Sequence, residues 1–179
     1  MLPLALTALL ISVAGGGGAS PEPHSVAWDG KATRPYADAT ARIRFAAPAA
    51  GHLVTAHHFP DARAGQLTDS FVVTVAGNLA LSVDLFANPG RLSLSDYVTT
   101  HLRFLKTPAT ATAEGQAGKA QVRAILLDQP RTGQAFGQRL AVFALSDARI
   151  VRISCPDRDE PALARLFEKA LESFEERAP

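Results

Sequence analysis

Two hydrophobic periods run along this chain. Alternation is plainest at Ala41-Arg42-Ile43-Arg44-Phe45, where Ala41, Ile43 and Phe45 share one face and both arginines the other, which predicts a half-buried strand. Residues 53–59 form a poorer strand candidate. Residues 70–75 and 79–86 alternate again, and Ala76-Gly77-Asn78 between them predicts a hairpin. Asn88-Pro89-Gly90 ends the second of these strands.

The period then lengthens. Leu94, Tyr97, Val98, His101, Leu102 and Leu105 recur at three- and four-residue steps, the spacing of a helix, with Ser93 and Asp96 placed as a capping box. Pro108 closes it, and the Ala-, Thr- and Gly-rich stretch 107–118 reads as a weak strand or loop. Further strands are predicted at 120–127, 138–145 and 149–155, the last two joined by Ser146-Asp147-Ala148. Pro156 stops the last strand. Asp157 to Pro161 then begins a helix with acids in its first turn, and Leu163, Leu166, Phe167, Ala170, Leu171 and Phe174 carry one apolar stripe to the C-terminus. Glu168, Glu172, Glu175 and Glu176 read as its wet side.

Strands in runs joined by tight turns, interrupted by two helices, give an α+β class with a mainly antiparallel, twisted sheet and helices packed on it. Val122-Arg123-Ala124-Ile125-Leu126-Leu127 is partly apolar on both faces, so the sheet is expected to be covered on each side, as in an α/β/α sandwich. This succession resembles the PsbP-like superfamily, which includes the extrinsic photosystem subunit, a Ran-binding nuclear transport factor and bacterial DcrB-like periplasmic proteins. Ile43-Arg44-Phe45-Ala46-Ala47-Pro48 looks like the family's first strand, and Leu94-Ser95-Asp96-Tyr97 like the start of its first long helix. Arg149 through Pro156, with Phe167, Leu171 and Phe174, looks like its closing strand and helix. The aromatic that often follows the first proline is absent, where Ala49-Ala50-Gly51-His52 stands. The resemblance implies a small non-enzymatic accessory or binding domain at or outside a membrane, and no particular ligand.

Residues 1–19 carry no charged side chain, and their apolar run of about a dozen residues is shorter than the roughly 20 a spanning helix needs. It has the length of a signal-peptide core, with cleavage expected near Ala14 or Ala19, although no Lys or Arg precedes it. Residues 20–30 read as a linker and 31–179 as a single α+β domain. The mature chain is thus expected in the periplasm or outside the cell, without an integral membrane span.

Composition narrows the rest. With 179 residues, 18 basic and 17 acidic side chains, the chain has no electrostatic footprint for nucleic acid. One cysteine cannot make an internal bridge, so the core alone must hold the domain.

The chemistry on offer is sparse. His52, His57, His58 and Asp61 are the densest set of metal-capable ligands. On an extended strand, however, His57 and His58 face opposite sides, while His52 and His58 stand about 20 Å apart. His101 falls at the edge of a helix stripe, and Cys155 shares a face with Val151 and Ile153, so its thiol is expected buried and unreactive. No nucleophile elbow, zinc-protease signature or phosphate loop occurs. Arg42 and Arg44 form a small basic patch, widened by Arg34 and Lys31, fit for an acidic partner or anionic lipid headgroups. The leading expectation is a non-catalytic accessory domain of the cell envelope, acting by protein contact and without a cofactor. Alternatives are a metal- or small-ligand-binding periplasmic protein using residues 52–61, a dispersed-site hydrolase, and a cytosolic chaperone or adaptor if the leader is no signal.

Overall fold

A computed structural model of the protein describes residues 30–49, 52–102, 111–130, 137–157 and 159–178. The leader and nearly all of the linker lie outside these residues, as do the predicted end of the first helix and the side chains of His52 and Leu53.

Ten strands and two helices follow one another. They are β1 (Thr33–Asp38), β2 (Ile43–Pro48), β3 (His52–His58), β4 (Leu67–Val75), β5 (Asn78–Ala87), α1 (Leu94–His101), β6 (Ala111–Ala117), β7 (Val122–Gln129), β8 (Gln138–Ala144), β9 (Arg149–Cys155), α2 (Pro161–Ser173) and β10 (Glu175–Glu176). Seven strands make one sheet in the order β3-β4-β5-β9-β8-β7-β6, every pair antiparallel. A second sheet has the order β1-β2-β10.

The alternation of β7, β8 and β9 divides the core between two faces. Ala141, Phe143, Val151, Ile153 and Cys155 pack under α2 residues Leu163, Leu166, Phe167 and Ala170, together with Ile43 and Phe45 of the small sheet. The residues between them, Leu140, Val142 and Ile150, meet Tyr97, Val98 and Leu102 of α1. Helix α1 therefore covers one face, and α2 with the small sheet covers the other. The α+β sandwich read from the sequence is the one observed.

Local chemistry sets the element ends. The β4–β5 turn places Ala76 and Gly77 at φ 50° and 83°, the pair of left-handed residues that a two-residue hairpin needs. Ser93 caps α1 by accepting from the Asp96 N–H, as its spacing predicts. Glu160 caps α2 by accepting from the Ala162 N–H, with Pro161 in the first turn. The acids expected inside that first turn stand before it.

Three expectations need correction. The strand predicted from Ala41 begins at Ile43, because Arg42 sits in the β1–β2 turn at φ 54°. Strand β1, which no hydrophobic period marks, lies against all of β2. The C-terminal helix ends at Ser173, and Phe174 turns the chain so that Glu175 and Glu176 pair with Arg44 and Ile43. Those two glutamates are strand residues, not the wet side of a helix.

Candidate functional site: a cleft beside the small sheet

The ladders create polar contacts that sequence spacing conceals. His57, Ser70, Asp84 and Arg152 stand in register across β3, β4, β5 and β9. Asp84 is buried and accepts from Ser70 Oγ at 2.7 Å, Arg152 Nη2 at 2.7 Å and Ser82 Oγ at 3.3 Å. Arg152 also lies over the Phe86 ring. With its carboxylate encircled by donors, this row ties strands together.

His58 stands between two aspartates on different sheets. Its Nδ1 is 2.7 Å from Asp69 Oδ1 on β4, and its Nε2 is 3.6 Å from Asp38 Oδ2 on β1. Arg149 binds Asp69 and Asp147 and donates to the Ala41 carbonyl, while Arg42 reaches Asp147 at 2.7 Å. Burial pushes the Asp147 carboxyl up, but the two arginines outweigh it and hold the group below its ordinary range. This network joins the small sheet to the large one.

Of the proposed metal ligands, the His52 side chain lies outside the described residues, and His57, His58 and Asp61 form no metal-binding group. His57 and His58 are adjacent on β3 and face opposite sides, and exposed Asp61 follows in the turn. Among the described residues no three His, Cys, Asp or Glu side chains form a metal-binding group. The basic pair is split as well. Arg42 leaves its turn toward Asp147, whereas Arg44 lies exposed on β2 directly opposite Glu175. Alternation along one continuous strand put the two on a common face, and the turn at Arg42 breaks that alternation.

The sequence's other candidates behave as structural groups. His101 packs its ring against Tyr97, centroids 4.7 Å apart. Cys155 is fully buried, donates to the Asp157 carbonyl, and is pushed up to about 11 chiefly by burial. Tyr97 is pushed to about 12, also by burial, and its hydroxyl has no hydrogen-bond partner among the described residues.

A cleft of about 630 Å³ opens where the β6–β7 turn, the end of β8 and β10 meet. Ala117, Val122, Phe143, Leu145 and Phe174 give it an apolar floor, in which the two phenylalanines pack edge to face with centroids 5.0 Å apart. Gly118 seats the turn on the end of α2. Its N–H bonds the Leu171 carbonyl, its φ is 68°, and a Cβ there would lie 2.7 Å from the Phe174 oxygen. The rim is charged. Lys119 Nζ is 2.8 Å from Glu175 Oε2, which draws the Glu175 carboxyl below its usual value. Glu176 accepts from the Ser146 N–H at 2.9 Å and from Ser146 Oγ at 2.8 Å. A shallower groove of about 190 Å³, lined in part by Arg34, Arg44 and Ser173, adjoins it and shares Lys119.

Sequence reasoning missed this cleft. Its walls come from three distant stretches, and its glutamates had been given to a helix.

No protein-family model matches the chain. No curated protein matches it either. Among solved structures it is similar to the cyanobacterial PsbP (CyanoP) of Synechocystis sp. PCC 6803, at 15% identity and a TM-score of 0.50, over 90% of this chain and 95% of that one. It is also similar to a Pseudomonas aeruginosa protein of unknown function, PA94, at 17% identity and a TM-score of 0.42, over 83% of this chain and 99% of that one. What this chain shares with the cyanobacterial protein is its architecture, an α+β sandwich of the PsbP-like fold.

Proposed function

We propose that the protein is a non-catalytic accessory domain, exported to the cell envelope, that works by contact with another protein through the cleft and the neighbouring face of the small sheet. The observation that carries this reading is the cleft's make-up. Its lining is largely apolar, and its charged groups are each engaged in an ion pair or hydrogen bond, an arrangement suited to recognition. The thiol, Cys155, lies buried elsewhere with its pKa raised, which removes it as a nucleophile. Export is supported by the uncharged apolar stretch of residues 1–19. Among the described residues no helix is long and apolar enough to cross a membrane.

The contact face also includes Arg44, which is exposed beside the cleft and enters no ion pair within 4.0 Å among the described residues. Arg42 is left out of it, since its ion pair with Asp147 makes its removal a change in stability. The test is cross-linking in an envelope fraction with the wild type, Ala120→Trp in the turn lining the cleft, Arg44→Glu, and Glu172→Lys on exposed α2 as control. A partner held by the wild type and the control but lost by the first two variants is the expected result. Partners held equally by all four proteins refute the assignment.

A further inference from the structure

The cleft carries an uneven charge balance. Lys119 is the cation in its lining, and it is taken up by Glu175. Glu176 is bound by two neutral donors of Ser146 and enters no ion pair among the described residues, so its carboxylate remains uncompensated. The cleft around it is lined by Ala120, Val122 and Leu145, with Phe143 and Phe174 buried beneath. A carboxylate beside an apolar lining is the chemistry that receives an ammonium or guanidinium group carried on an apolar body.

The backbone selects the form of that cation. Arg177 donates to the Arg42 carbonyl, so it points its main chain toward β2. By strand alternation Glu176 then turns its N–H and C=O away from β2. That is the side on which the Phe174 carbonyl, two residues earlier, already accepts from the Lys119 N–H. The outer edge of β10 thus presents a main-chain donor and acceptor at the cleft, and an extended peptide can use both at once.

We infer that the cleft takes an extended peptide segment in which a lysine or arginine stands among apolar residues, its cation on Glu176 and its neighbours against the apolar lining of Ala120, Val122 and Leu145. This rests on reading the cleft as a protein-contact face, and names the partner segment that fits it.

The test uses the full chain and the peptide acetyl-Leu-Val-Arg-Leu-Phe-amide, followed by amide NMR shifts. The expected result is saturable binding with a Kd below about 1 mM and shifts centred on Lys119, Ser146 and Glu176. Glu176→Gln is expected to weaken it about tenfold, the effect of one charge-assisted hydrogen bond. Ala120→Trp, an exposed lining position in the β6–β7 turn, is expected to abolish it. The same peptide with Glu in place of Arg is expected not to bind.

Four results overturn the inference: no saturable binding, equal binding of the acidic peptide, binding untouched by both substitutions, or n-hexylamine binding as tightly as the peptide. An envelope partner that is lost with Ala120→Trp while this peptide fails leaves the contact face standing and removes only the cationic segment.

Discussion

Asp84 and Arg152 offer the sharpest test of how the sheet is held. The Asp84 side chain is 6% exposed and that of Arg152 is 21% exposed, with Nη2 at 2.7 Å and Nε at 3.3 Å from the same carboxylate oxygen. Replacing Asp84 by Ala leaves the guanidinium over the Phe86 ring without its counter-charge, and leaves Ser70 Oγ without its acceptor. Breaking a buried pair costs about 3–5 kcal/mol, and the partial exposure of Arg152 lowers this to about 2–4 kcal/mol. Asp84→Asn keeps an acceptor for Ser70 and loses the charge, for about 1–2 kcal/mol. Arg152→Met removes the stranded cation, so Asp84→Ala with Arg152→Met is expected to be more stable than the sum of the two single changes, with a coupling of about 2 kcal/mol. Urea unfolding at neutral pH, with a double-mutant cycle, measures all four proteins. A cost for Asp84→Ala under about 1 kcal/mol, or strict additivity in the cycle, refutes a buried pair at this place.

Three other outcomes follow from groups the fold has buried or paired. Tyr97→Phe deletes a buried hydroxyl that has no partner among the described residues, so thermal unfolding is expected to shift upward by the equivalent of about 1 kcal/mol; a lower midpoint contradicts it. Cys155 is expected to resist iodoacetamide at pH 8 in the folded protein and to react in denaturant, since burial keeps it a thiol up to about pH 11. Asp147, whose folded pKa is depressed, contributes stability that is complete above the ordinary carboxylate range and disappears as pH falls through its folded value. Unfolding curves from pH 6 to pH 3 should therefore show a smaller acid loss in Asp147→Asn than in the wild type.

How far the fold could be read depended on where each element finds its partner. The helices and the β4–β5 hairpin announced themselves because their signals are local: the stripe from Leu163 to Phe174, the Ser93 cap, and the left-handed pair Ala76-Gly77. Strand β1 gave no such signal. Arg34 and Pro35 are exposed and only Thr33, Tyr36 and Asp38 are part-buried, so no apolar alternation marks it, and it is a strand because β2 pairs with it. Strand β10 has two residues and exists solely through its register with β2.

Charge was harder to read than fold, because a sequence gives the sign of a side chain but not what faces it. Arg42 and Arg44 counted as one patch only while both sat on a strand. A single left-handed residue sends the first to Asp147 and leaves the second exposed on β2 in register with Glu175, so the two no longer form one patch. The same change of geometry acts on Glu175 and Glu176. On a continued helix they would be solvated acids of little consequence. Where Phe174 ends the helix and drops its ring against Phe143, they become the rim of an apolar cleft. Substituting Phe174 would therefore disturb the helix end, the floor and the placement of both carboxylates together, whereas Glu176→Gln and Ala120→Trp each address one wall, and so only variants of that narrower kind can tell what the cleft recognises.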